Sequence, residues 1–363
     1  MKVMKKTVNL LLPNGDKYIG GMENNFMEGF GILILSSGDI YKGEFKKNKY
    51  NGYGIYLTKD GIKVEGQFKD GKVEGYGIYN DSEGNKYEGD WKNGKFNGIG
   101  IFNYSVGKMY EGEFKDDEEN GIGKKKYSSG NIFEGEIKDG KGEGYGIFTF
   151  TSGNVYEGEF IDSKFEGFGH IKDKSGAEYF GEFKNNKKDG FGFLICKSYK
   201  YIGQFVKGKK QGYGKLYYIN NNKYEGEFFE NDFNGFGIFT FYDGNQYEGE
   251  FEDGDKKGIG IFKFHWGDVF KGEFDDDKRN GVGMYISVNE DIYKGEAKDD
   301  LMHGFGECTL ANGEKYEGEY KYGEKDGYGK YTYSNGEINE GIFEKNPFME
   351  NALNDLMDLL NFK

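Results

Sequence analysis

The sequence predicts an all-β protein. The chain should form an elongated single-layer antiparallel β-meander of 23-residue hairpin repeats, followed by a short C-terminal amphipathic helix. Three observations lead there. The chain copies itself at constant spacing, as in YKGEFKKNKYNGYGIYLTKDGIK from Tyr41, YEGEFKDDEENGIGKKKYSSGNI from Tyr110 and YEGEFEDGDKKGIGIFKFHWGDV from Tyr247. With the aromatic start as position 1, positions 3, 12 and 14 are Gly in all fourteen full copies, which accounts for 42 of the 63 glycines. Period-two alternation runs through Tyr-x-Gly-x-Phe and again through Gly-x-Gly-x-aromatic, the pattern of two short strands with one face buried. A short repeat of this kind cannot bury its apolar face alone, so the copies must stack into one array.

The elements follow in chain order. Residues 1–17 read as an N-terminal half-hairpin cap, with VNLLLPNGDK as half a unit and Lys2, Lys5 and Lys6 protecting the sheet edge. Residues 18–338 carry the fourteen full copies, beginning at Tyr18 and ending with the one from Tyr316. Within each copy the second turn carries Ser-Gly, Asp-Gly or Asn-Gly, as at Ser152-Gly153, Asp243-Gly244 and Asn312-Gly313, and is expected to be the tight two-residue turn. The first turn, near Lys69-Asp70-Gly71-Lys72, is expected to be longer and more variable. The copy from Tyr179 has 22 residues and no turn glycine, which marks residues 196–201 either as a kink or as a silently shortened turn. Residues 339–363 hold a partial copy and, after Asn346-Pro347, apolar residues at Met349, Ala352, Leu353, Leu356, Met357 and Leu360. Those offsets describe one face of a helix of about four turns. It has two candidate roles, capping the last repeat or binding a second copy through Leu353, Leu356, Met357 and Leu360.

The fixed glycines require a packing reason, because Gly weakens a strand by itself. An aromatic ring beside or across from Gly can lie flat on bare backbone, so rings of successive copies should form a ladder in place of an ordinary core. Position 2 is Glu in many copies and position 4 is Glu or Asp in most, which assigns a carboxylate row to the opposite, wetted face. At about 4.8 Å per strand, fourteen copies should make a rod on the order of 130 Å, twisted so that one face is concave.

Composition narrows the function classes. Forty-nine Lys and Arg stand against 63 Asp and Glu, a formal net charge of -14, which disfavours nucleic acid and anionic lipid. Two cysteines, Cys196 and Cys308, make no disulfide framework, and no secretory signal or lipid-anchor motif is present, so a cytosolic protein is expected. The histidines, His170, His265 and His303, occupy different repeat positions and support no catalytic dyad, so no enzyme is expected. Gly140-x-Gly142-x-Gly144-x-Gly146 lacks the Lys-Ser/Thr of a phosphate loop and is structural. His303 and Cys308 are the His-Cys pair closest in sequence; a strand separates them by about 16 Å, so they could share zinc only across a dimer. No other cofactor is expected. Lys124, Lys125 and Lys126, with Lys184, Lys187 and Lys188 and with Lys207, Lys209 and Lys210, form the best basic patches, thin against the overall charge, and direct lipid binding is not expected.

Y-E-G-E-F/W-x-x-G-x-x-x-G-x-G every 23 residues resembles the MORN (membrane occupation and recognition nexus) repeat over residues 18–338. With little beyond repeats and a short tail, the chain is similar to the apicomplexan MORN scaffolds of the budding ring, or basal complex. That resemblance implies a non-enzymatic, self-associating cytoskeletal scaffold at the inner membrane complex, active in cell division. It also implies a groove able to hold a helix or peptide of a cytoskeletal or membrane-associated partner. On this chain the groove is expected along Tyr224, Phe228, Tyr247, Phe251, Phe270 and Phe274. The self-association is expected to be a homodimer through the C-terminal repeats, with residues 150–363 dimerising and residues 1–200 monomeric. The alternative is a peripheral phospholipid-binding protein, separated from the scaffold by sedimentation with anionic vesicles. A secreted glycan-binding array is disfavoured by the presence of only two tryptophans, Trp91 and Trp266.

Overall fold

Thirty strands and no helix make up residues 6–344, the part of the chain that the computed structural model describes. The predicted C-terminal helix lies outside these residues. Two units are distinguished, residues 1–187 and 188–363. In the first, each strand from Lys6–Leu11 to Glu178–Lys184 pairs antiparallel with the next. In the second, the same holds from Lys187–Ile195 to Ile338–Phe343. The all-β meander read from the repeat is the fold.

The hairpin Lys223–Phe229 with Asp232–Thr240 shows how one repeat works. Gly226 sits opposite Gly237, and the Tyr224 ring covers both. A Cβ on Gly226 would stand 2.5 Å from the Gly237 Cα and 2.7 Å from the Tyr224 hydroxyl, so neither position tolerates a side chain. The buried Tyr224 hydroxyl donates to the Glu227 carbonyl at 2.8 Å, which satisfies the one polar atom that the ring carries inside. Phe228 then meets Tyr224 edge-on at 5.1 Å and Tyr201 of the preceding repeat at 5.0 Å. The same tyrosine and phenylalanine alternate at Tyr247 and Phe251, so each ring at position 5 clasps two at position 1. Such edge-to-face contacts add about 0.5–1.5 kcal/mol each beyond burial. The core is this zigzag on one face of a single sheet.

The turns are the reverse of the sequence expectation. The first is the tight one: Glu230 and Asn231 alone join the two strands, with φ of 53° and 91°. Two successive positive φ values define a type I′ hairpin turn, which matches the right-handed twist of the strands. The loop carrying Asp243-Gly244 spans five residues, Phe241 to Asn245, and needs a left-handed residue only at Gly244. A glycine at fixed phase therefore marks the longer loop, while the tight turn takes Asn, Asp, Lys, Glu or Tyr at its first residue and Asn, Asp, Ser or Gly at its second. In the short repeat, Cys196 to Ser198 closes the turn with Cys196 N–H bonded to the Tyr199 carbonyl at 2.8 Å, and pairing persists up to Ile195 and Lys200.

The carboxylate face is not simply wetted. At position 4 the pairing register shifts, and the position 12 glycine, such as Gly235 at φ 69°, forms the bulge. The carboxylate at position 4 accepts the N–H that the bulge exposes, as from Ile99 to Asp90 at 3.1 Å and Ile122 to Glu113 at 3.2 Å. Between repeats, Asn or Asp at position 22 accepts the loop N–H of the next copy, as Asn222 from Tyr242 at 2.8 Å and Asp291 from Ala311 at 2.9 Å. These acidic and amide positions therefore hold neighbouring backbones in register.

Candidate functional site: an aromatic and cationic strip

All six expected groove residues lie in one row, and all six are core. Tyr224, Phe228, Tyr247, Phe251, Phe270 and Phe274 are between 0 and 5 % exposed. Alternation placed them on the correct face but could not show that rings of adjacent repeats bury one another. The groove assignment is corrected accordingly: these side chains are its floor, and the accessible strip belongs to positions 10, 16 and 18. Phe233, Phe239, Phe241, Phe262 and Phe264 are half-buried there, and Trp266 stacks on Phe264 at 4.7 Å with half its surface open.

Position 10 takes two forms. Tyr50, Phe96 and Phe165 in the first unit and Phe233 in the second stack on the adjacent tyrosine at 3.7–3.9 Å. Lys210, Lys256, Arg279 and Lys325, all in the second unit, occupy that position in other repeats and lie over rings instead. Lys325 is 4.4 Å from the centre of Tyr331 and 4.8 Å from that of Tyr316, and Lys210 is 4.5 Å from Tyr199. A cation within about 6 Å of a ring is attracted to its face. Burial holds the Lys256 and Lys325 ammonium groups below the ordinary lysine pKa. Arg279 bonds Asp300 at 3.1 Å and Lys256 approaches Asp277 at 3.7 Å. From the sequence only Lys210 of this row stands out, as part of a basic patch with Lys207 and Lys209, because each cation reads as a surface residue at the start of a strand.

The lysine patch behaves otherwise than a lipid-facing surface. Lys125 is buried, bonds Glu119 at 2.5 Å and donates to the Gly140 carbonyl, while Lys124 pairs with Glu134 at 2.6 Å. Glu119 also accepts from Tyr104 at 2.7 Å and faces Lys108 at 3.4 Å. Glu119 and Lys125 stand where other repeats carry aromatic rings, such as Phe233 and Phe239. Removing one member of a buried pair strands the other, so Glu119→Ala is expected to cost about 3–5 kcal/mol. Glu119→Phe with Lys125→Phe should be neutral or stabilising, and urea denaturation of both variants checks this.

On the opposite face, position 13 exposes a large apolar side chain in every repeat. Phe30, Tyr53 and Phe168 are examples in the first unit and Phe236, Ile259 and Phe305 in the second, all about half to two-thirds exposed. His303 and Cys308 have different neighbours: the imidazole faces Tyr322 at 5.8 Å, and the thiol packs against the Tyr293, Tyr316 and Tyr320 cluster. Burial pushes the Cys308 thiol pKa up, favouring the protonated form over the thiolate that zinc requires. Among the described residues no group of three or more metal-ligating side chains occurs, and no helix is long and apolar enough to cross a membrane.

The MORN repeat family matches fourteen consecutive segments: residues 18–40, 41–63, 65–86, 87–109, 110–132, 133–155, 156–178, 179–199, 201–223, 224–246, 247–269, 270–292, 293–315 and 316–338. The chain belongs to the MORN repeat family. These MORN repeats occupy almost all of the described sheet, and the family is one of non-enzymatic repeat scaffolds. A search of curated proteins finds no match. Among solved structures, the chain is similar to the SAS-4 (dCPAP) TCP domain of Drosophila melanogaster in complex with a proline-rich motif of Ana2 (dSTIL). Identity is 13%, covering 49% of this chain and 85% of that one, with a TM-score of 0.27. The TCP10 domain of Danio rerio CPAP matches at 10% identity, covering 68% and 99%, with a TM-score of 0.21. Virginiamycin B lyase from Staphylococcus aureus matches at 14% identity, covering 94% and 90%, with a TM-score of 0.13.

Proposed function

We propose that this MORN protein is a homodimeric scaffold of a cytoskeletal ring beside a membrane, recruiting partner segments to its aromatic strip during cell division. The observation that carries the reading is the strip itself. Half-buried rings and cations lie over a fully buried aromatic floor, a surface suited to an extended or helical segment with apolar and acidic side chains. The ring and inner-membrane setting rests on the resemblance of the repeat array and tail to apicomplexan MORN scaffolds. Of the basic residues that a lipid surface would need, Lys125 is taken up inside the array and Lys124 is ion-paired with Glu134, which favours protein partners over phospholipid.

The dimer reading rests on the last strand. Ile338–Phe343 pairs on one side only among the described residues, and Ile338 and Ile342 are 54% and 77% exposed. An open edge with apolar side chains invites a second strand, and a two-fold contact is the commonest closed solution. Light scattering of the full chain should give twice the monomer mass. Ile338→Lys with Ile342→Lys should return it to the monomer without changing the circular dichroism. A monomeric mass for the unaltered chain at micromolar concentration rejects the dimer.

A further inference from the structure

The aromatic zigzag has a gap. Position 5 is Ala297 in the repeat from Tyr293, where the flanking repeats carry Phe274 and Tyr320. In its place lies a cavity of about 450 Å³, walled by Phe270, Tyr285, Tyr293, Leu301 and Met302, with the exposed Trp266 ring among its lining groups. Glu324 also lines it, and its Oε2 is buried with no hydrogen-bond partner among the described residues. An apolar hole with one unsatisfied acceptor is the imprint of a missing side chain and a missing donor.

We propose that the C-terminal tail of the same chain, residues 345–363, folds back into this cavity. Three observations select it over other occupants. The chain leaves the sheet at the right place: Phe343 stands at position 5 of the partial repeat, on the aromatic face against Tyr316 at 5.1 Å, and Leu301, Met302 and Glu324 belong to the same turn end of their strands. Four strand spacings separate Ile338–Phe343 from Ile292–Lys298, about 19 Å. Nineteen residues follow Glu344, and fifteen of them span about 22 Å even if helical. The chemistry is also complementary. Phe348 to Phe362 carries Phe, Met and Leu side chains that match the apolar walls of the cavity, whose lining charges Arg279 and Asp300 already pair with each other at 3.1 Å. Asn346, Asn351 and Asn354 offer amide donors for Glu324. Tethering also gives the tail a local concentration on the order of millimolar, which a free partner must exceed.

Trp266 reports on the cavity. In the full chain carrying Trp91→Phe it is the single indole. With the tail seated, acrylamide quenching should be low and independent of protein concentration. Leu353→Asp with Leu356→Asp, outside the described sheet, should raise quenching several-fold at unchanged circular dichroism. Ala297→Phe, which restores the usual ring and fills the hole, should accelerate protease cleavage within residues 348–362 several-fold. Quenching that ignores the leucine substitutions overturns the proposal and leaves the cavity open to another protein. Protection that fades on dilution in step with the light-scattering mass overturns it in favour of a second copy's tail. The inference does not need the dimer: a monomeric chain that keeps its protection rejects the dimer alone.

Discussion

Unfolding above about pH 10 is expected to be the largest single response of this protein. Tyr41, Tyr87, Tyr110, Tyr156, Tyr224 and Tyr247 are 0–1 % exposed, and burial raises each phenol well above its ordinary pKa. For Tyr87, Tyr156, Tyr224 and Tyr247 the next cause is the carboxylate at position 4, namely Asp90, Glu159, Glu227 and Glu250. The sign follows from proton counting. Below about pH 10 folded and unfolded chains both hold these protons, and the stabilisation is fully present. Above it the unfolded chain releases them while the folded one retains them, so stability falls by about 1.4 kcal/mol per tyrosine per pH unit until the folded pKa is reached. Six or more tyrosines titrating together should collapse the array within about one to two pH units. The share of tyrosinate absorbance that belongs to these buried rings should appear only as the far-ultraviolet dichroism is lost. Absorbance reaching the value for all 30 tyrosines while the sheet stays intact would show that the rings are not buried as described.

The second large effect is steric. Gly249→Val should cost well over the roughly 1–3 kcal/mol typical of overpacking. A Cβ there stands 2.6 Å from the Gly260 Cα and 2.6 Å from the Tyr247 hydroxyl, so backbone as well as ring must move. Moving the backbone parts a strand pair, and moving the ring opens the zigzag at Phe251 and Phe274. The array supplies its own control. Gly341 holds the same repeat position in the partial copy, but Asn339 replaces the tyrosine and nothing lies within 4 Å of its Cβ. Gly341→Val should therefore leave the urea midpoint almost unchanged. Equal effects at the two sites would mean that glycine is needed there for backbone conformation and not for the ring.

That pair of glycines also shows how far one-dimensional information reaches. Period, strand pairing and the face carrying the tyrosines were legible because a repeat imposes the same register fourteen times, and side chains alternate with period two. The turns were misassigned because Asn, Asp and even Lys47 or Tyr322 adopt positive φ in the tight turn, so glycine count did not mark it. The position of the accessible strip was also hidden. Whether Tyr247 is groove lining or core depends on Phe251 and Phe274, which reach it from its own repeat and the next.

By itself the sequence determined the repeat unit, the all-β meander, the family and the requirement for bare backbone under each ring. These are local or periodic properties, encoded within 23 residues. Only the tertiary structure decided which rings are floor and which are surface, that Glu119 and Lys125 are partners in a core, that cations lie over rings at position 10 in four repeats of the second unit, and that Ala297 leaves a hole. Each of those depends on contacts between neighbouring strands and copies. A side chain's burial is set by what the adjacent element places over it, and that cannot be read from the residue's own position in the repeat.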